Sequence, residues 1–202
     1  MTISEQSDKA QDRAEKQRGR ILDAAQQCFI EHGFHGASMA NIADTAGMSA
    51  GLIYRYFENK SAIILAIVQR QLELLRDDIK LHRKVDLAAE LASHYGQACA
   101  KQGRGMNSAL LLEISAEATR DPQIAAALDE FDRTLREALV EWLTGPRERD
   151  GHGLPPGLAQ SRALLRQVLV EGLKIRETRE PDLDRALLDT ALREIVPLLM
   201  KP

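Results

Sequence analysis

The stretch Ser38 to Lys60, SMANIADTAGMSAGLIYRYFENK, constrains this chain more than any other. It carries two short helical patterns with a turn between them. Ser38 can cap the first, its hydroxyl accepting from a backbone N–H left unpaired at a helix start, and Met39, Ile42, Ala43 and Ala46 follow at helical spacing. Gly47 gives the backbone the freedom for a sharp turn, and Ser49 caps a second helix from Ala50 towards Phe57. Two short helices joined by a brief glycine-containing turn form a helix-turn-helix.

The second helix divides by face. At about 100° per residue, Ile53 and Phe57 share one side, flanked by Ala50 and Tyr56. Gly51 and Arg55 lie opposite, with Leu52 and Tyr54 on the shoulders. The first set is apolar and belongs against a core. The second is what a DNA major groove would meet, where Arg can bond guanine O6 and N7 together and Leu can touch a thymine methyl. Gly51 costs a helix about 1 kcal/mol against Ala, on a face where no packing explains it. Close approach to a DNA backbone does.

The run RGRILDAAQQCFIEHGFHGASMANIADTAGMSAGLIYRYFENKSAIILAIV, Arg18 to Val68, resembles the DNA-binding domain of the tetracycline-repressor (TetR) family of bacterial transcription regulators. The matching positions are Arg20-Ile21, Ala24-Ala25, Phe29, Gly33-Phe34, Ser38, Ile42-Ala43, Ala46-Gly47, Ser49, Gly51, Tyr54, Tyr56-Phe57 and Lys60. The resemblance implies phosphate contacts from Ser38, Tyr54 and Lys60. It places Ala50, Leu52, Arg55 and Thr45 nearest the bases. Ser49, Gly51 and Tyr56 complete the expected DNA-facing set.

At 202 residues and 44% hydrophobic content the chain can build a real core, although aromatics make up only 4%. The net charge of −3 is awkward for a DNA binder, so the positive face must be local: Arg13, Lys16, Arg18, Arg20, Arg55 and Lys60. Cys28 and Cys99 form no disulfide framework, which points to a reducing compartment. The polar N-terminus lacks the apolar segment of a signal peptide, and no apolar run is long enough to span a bilayer, so a cytoplasmic protein without membrane association is expected.

Residues 1–11 read as a disordered polar arm, followed by a helix over 12–32 with Ile21, Ala24, Ala25, Cys28 and Phe29 as its stripe, ended by Gly33. After the helix-turn-helix, Asn59 caps a long fourth helix striped by Ile64, Ile67, Val68, Leu72, Leu75 and Ile79. It starts at Lys60, beside any bound DNA, and runs into the second half of the chain. Helices over 85–102, 106–119, 122–144, 158–178 and 183–199 follow, with Asp121-Pro122 opening the third of these. The segment 145–157, GPRERDGHGLPPG, reads as a mobile surface loop. The expectation is an all-α protein of about nine helices: a three-helix DNA-binding domain over 12–76 that includes the start of the connecting helix, and an effector-binding and dimerisation domain over 77–202.

Catalytic and metal chemistry find little to build on. His32, His35, His82, His94 and His152 are scattered without metal-ligand spacing, and no nucleophile elbow or phosphate-binding glycine loop is present. No cofactor and no metal is expected. Glu113 and Glu117, one helical turn apart, suit ion pairs with arginines on neighbouring helices better than an acid/base pair. Leu72, His94, Tyr95, Cys99, Met106, Leu110, Glu113, Ile114 and Phe131 mix apolar surface with a few polar groups and form the expected effector site. Leu165, Val168 and Leu169, with Leu187, Ala191 and Ile195, exceed a single core stripe and form the expected homodimer interface. The expected partners are therefore a pseudo-palindromic double-stranded operator, a small-molecule effector and a second copy of the chain. The rival readings are a helical small-molecule-binding protein or enzyme using the helix-turn-helix as scaffold, and a regulator controlled by a protein partner.

Overall fold

The structure, a computed structural model, describes residues 3–81, 86–96, 107–149 and 151–200. Within them the protein is all-α: α1 (Ile3–Gly36), α2 (Met39–Ala46), α3 (Ala50–Tyr56), α4 (Lys60–Leu81), α5 (Leu87–His94), α6 (Ser108–Ala118), α7 (Pro122–Thr144), α8 (Pro156–Arg179) and α9 (Arg185–Met200), with a 3-10 turn at Arg147–Arg149. No described helix is long and apolar enough to cross a membrane.

The chain forms two compact units. One is Met1–Val68 with Glu113–Ala125, and the other is Gln69–Leu112 with Ala126–Pro202. The division between them falls after Val68, inside α4. The segment 113–125 joins the N-terminal unit because Glu113 and Glu117 are bound to the end of α1, as described below.

In the first unit, Ile21, Ala25, Cys28 and Phe29 of α1 are buried together with Ile42 and Ala43 of α2, Ile53 of α3 and Ile63, Ile64 and Ile67 of α4. Apolar side chains at helical spacing are withdrawn from water, and their burial drives the assembly. The arm expected to be disordered is instead helical from Ile3 onward. Its Glu, Gln, Lys and Arg residues are good helix formers, and Lys16 reaches Asp12 one turn back at 3.8 Å. At the far end Gly33 adopts φ 70° and ψ 167°, a conformation that essentially only glycine takes, and breaks the helix there.

In the second unit α5 packs on α9 through Ala88, Ala92, Tyr95, Leu188, Leu192 and Val196. A separate cluster gathers Leu139 and Leu143 of α7, Ala159 and Ala163 of α8, and Leu154 between them. Leu154 corrects the expectation of a mobile loop over 145–157. Its side chain is buried, its N–H donates to the Leu143 carbonyl at 2.9 Å, and the His152 ring stands edge-on to Trp142 at 4.6 Å. Glycine and proline marked the turns there, but one apolar anchor pins the segment.

Candidate nucleic-acid interface

Both helices of the motif begin with a side-chain cap. Asn41 N–H donates to Ser38 Oγ at 3.1 Å while Ser38 N–H donates back to Asn41 Oδ1 at 2.9 Å, a reciprocal capping box. Gly47 closes α2 in the left-handed region at φ 63°. Ser49 Oγ accepts from Leu52 N–H at 3.3 Å and opens α3. These contacts fix the turn and therefore the direction in which α3 leaves it.

The face assignment for α3 holds for Ile53, Phe57, Gly51 and Arg55, but Ala50, set with the core face, is exposed, because it stands at the first position of the helix where the turn leads out to solvent. Ile53 and Phe57 are buried, Leu52 and Tyr56 are half-buried, and Ala50, Gly51 and Arg55 are exposed. Tyr54 is 55% exposed, far more than an aromatic ring needing only packing. A methyl group added at Gly51 would meet nothing within 4 Å, so nothing in the chain itself requires glycine there.

The basic side chains around the motif divide sharply. Arg18 stacks on the Phe57 ring at 4.5 Å, and Arg20 donates to the Ala46 carbonyl at the end of α2 at 2.7 Å. Lys60, implied by resemblance to meet phosphate, donates to the carbonyls of Phe34 at 2.6 Å and Ala37 at 2.7 Å. Arg55 makes no hydrogen bond or ion pair among the described residues. Thr45 is exposed, with its hydroxyl 3.3 Å from Cys28 Sγ. Ser38 is exposed as well, with its hydroxyl already engaged in the capping box.

A second feature of this unit escaped the sequence. Phe34 N–H donates to Glu113 Oε2 at 2.9 Å, and Glu117, nearly buried, pairs with His35 Nε2 at 3.1 Å. The two carboxylates do meet basic or donor groups, but on the end of α1 and not on neighbouring arginines; Glu117 has only a longer contact, 3.9 Å, to Arg120 of its own chain segment.

The residues expected around an effector are dispersed. Leu72, Leu110 and Ile114 are fully or almost fully buried and Phe131 is half-buried. Tyr95 is buried in the α5–α9 core, where its hydroxyl donates to the Glu180 carbonyl at 2.9 Å. Burial pushes this phenol's pKa up, with the Glu180 carboxylate adding to the shift, so it remains a donor. Glu113 is committed to Phe34. His94 ends α5, and Cys99 and Met106 lie outside the described residues. A shallow groove of about 670 Å³ between α7 and α8, lined by Arg133, Arg136, Glu137, Val140, Gln160 and Leu164 among others, holds none of the expected set. One residue with the right character was missed: Gln71 of α4 is 6% exposed and its amide nitrogen has no partner among the described residues. The signal was a polar residue on the stripe of Ile67, Val68 and Leu72.

Of the expected dimer residues, Leu165, Val168, Leu187, Ala191 and Ile195 are exposed. Leu164 and Leu198 on the same two helices are exposed as well. Leu169 is the exception, packing against the α5–α9 core.

Comparison with known proteins agrees with this geometry. Residues 21–67 match the family model described as bacterial regulatory proteins, tetR family. The HTH-type transcriptional regulator UidR of Escherichia coli K12 is 34% identical over 147 residues, which cover 70% of this chain and 72% of UidR. The HTH-type transcriptional repressor AcnR of Corynebacterium diphtheriae is 27% identical over 135 residues, 67% of this chain and 65% of AcnR. Among solved structures, Salmonella enterica GusR superposes with a TM-score of 0.69 at 28% identity, covering 92% of this chain and 95% of GusR.

Proposed function

Because this chain belongs to the tetR family of bacterial regulatory proteins, and is thus a DNA-binding transcriptional regulator, we propose that it works as a homodimeric repressor released from its operator by a small molecule. The observation that carries the DNA-facing assignment is the outward surface of α3, where Arg55 is exposed with its guanidinium uncommitted beside an exposed Tyr54 and a glycine that packing does not require. Arg55, with Ala50 and Leu52, reads base edges, and Ser38, Ser49, Tyr54 and Tyr56 face the phosphates, with Thr45 at the margin. The similarity to AcnR, a repressor, favours repression over activation.

Two further observations support the assembly and the effector. The exposed apolar side chains of α8 and α9 are the kind of surface a second copy covers, and a dimer presents two recognition helices to half-sites about 34–36 Å apart. Gln71 is a buried amide donor awaiting an acceptor, as a pocket needs for orienting a ligand. It lies on α4, which begins at Lys60 in the first unit and continues into the second beyond Val68. The test is to select bound duplexes from a random pool and then screen small molecules for release. A true inducer must bind more weakly in the presence of saturating operator, by the same factor by which it weakens DNA binding. Equal effector affinity with and without operator sinks the inducer reading.

A further inference from the structure

The buried face of α1 begins only at Ile21, yet the helix starts at Ile3. From Gln11 to Lys16 every residue is exposed, so this part of α1 supports no core. Its charges are nevertheless in register. At about 100° per residue, Arg13, Lys16 and Arg20 fall within about 60° of one another, and Lys9 continues the spacing one turn earlier. Asp12 borders this stripe, and Glu15 falls on the other side of the helix.

Two contacts fix the direction in which α1 leaves the helix-turn-helix. Arg18 stacks on the Phe57 ring at the end of α3, and Arg20 donates to the Ala46 carbonyl at the end of α2. The Arg20 guanidinium also lies next to Gly47, where an added methyl would meet it at 3.6 Å. The face that rests on the turn at Arg20 is therefore the face that carries Lys16 and Arg13 onward past it. At 1.5 Å per residue Arg13 stands about 10 Å further along the helix, close to the rise of three base pairs. Arg13 makes no hydrogen bond or ion pair among the described residues. Lys16 has one contact, to Asp12 at 3.8 Å, with the two side chains 79% and 72% exposed. So open a pair holds its partners weakly, and a phosphate oxygen at hydrogen-bond distance competes well with it. On a chain of net charge −3, an exposed row of cations next to the recognition motif suits a polyanion of regular pitch.

We propose that the N-terminal part of α1 is an arm lying along the duplex that flanks each half-site, with Arg13 and Lys16 bonding its phosphates. The proposal rests on the DNA-binding reading and extends the contact surface beyond the helix-turn-helix. Because phosphates are the same at every step, the arm adds affinity without adding base preference.

The experiment uses the full-length protein and the duplex selected from the random pool, either trimmed to its half-sites or extended by about six base pairs, roughly 20 Å, at each end. Affinity for both duplexes is measured against salt for wild type, Arg13→Gln, Lys16→Gln, the double variant and Arg13→Lys. Wild type should bind the extended duplex more tightly, and the double variant should bind both alike. Each lost contact should lower the slope of log affinity on log salt by about 0.9 and weaken binding about fivefold near 0.15 M salt. Arg13→Lys keeps the charge and should keep the slope. Selection from the random pool should return the same half-sites for every variant. An unchanged slope and length effect in the double variant, or altered base preference in the flanks, overturns the proposal while the DNA-binding reading stands. A wild-type protein without salt-dependent duplex binding removes both.

Discussion

Arg18 and Arg20 each spend their charge inside the N-terminal unit, over Phe57 and on the Ala46 carbonyl. Arg55, one turn beyond Gly51, is left for an external partner. Arg55→Ala should therefore cost about 1–3 kcal/mol of discrimination at one base position of each half-site while sparing non-specific binding. Competition between the selected duplex and single-base variants checks it, and uniform weakening across sequences counts against the assignment. Gly33 makes a different kind of prediction. Its φ of 70° with ψ of 167° is closed to side chains, so Gly33→Ala should lose about 1–3 kcal/mol in urea unfolding, although space for the methyl exists. An unchanged midpoint would mean the backbone at Gly33 can relax to another conformation. Arg55 could be placed from the sequence, because a helix fixes which residues share a face. The bond from Phe34 to Glu113 could not. It joins residues 79 apart, and local pattern carries no information about such a pair.

Among the elements, the starts of those with a cap and an apolar stripe were legible nearly to the residue, whereas ends were not: the helix expected over 85–102 is α5, which stops at His94. Ser38, Ser49, Asn59 and Asp121 open α2, α3, α4 and α7 as read, since a cap is a local hydrogen bond that the residue type announces. Segments without either were misread: the polar start of α1 needed only helix propensity, and 145–157 was held by Leu154, one apolar residue among turn formers. The α7 cap is also a pH sensor of stability. The Gln123 N–H above all, with the Ser61 hydroxyl and the Ile124 N–H assisting, holds the Asp121 carboxyl below its ordinary value of 3.8. A lowered carboxylate stabilises the fold above its ordinary pKa, and that contribution is lost as the pH falls through the lowered value. Asp121→Asn still caps but does not titrate, so its melting temperature should fall less steeply than that of wild type below pH 3.8. Parallel slopes would show that the carboxylate is free of the helix end in solution.

For the molecule as a whole, the apolar residues left outside are concentrated on α8 and α9. Val168 is 56% exposed and Leu187 61%, so neither supports the protomer's core. Val168→Glu and Leu187→Glu should leave the melting temperature at low protein concentration nearly unchanged and convert dimers to monomers in sedimentation, with operator binding lost. Leu169→Glu should instead destabilise the fold, because Leu169 packs inward. Variants at Val168 and Leu187 that stay dimeric would move the interface elsewhere. The sequence singled out these helices through their surplus of apolar positions, but separating Leu169 from its neighbours needed the packed position of α9.

If a second copy covers α8 and α9 as proposed, the uncovered ridge there also bears on dosage. One protomer carries one recognition helix, and only a pair spans two half-sites. While most copies are single, the number of competent pairs rises with the square of copy number. Halving the amount of protein then cuts operator occupancy towards a quarter of its former value, and doubling it raises occupancy up to fourfold until the site saturates. A gene held by this regulator would switch over a narrow range of regulator abundance, with the midpoint of that range set by how tightly the ridge closes on its own copy.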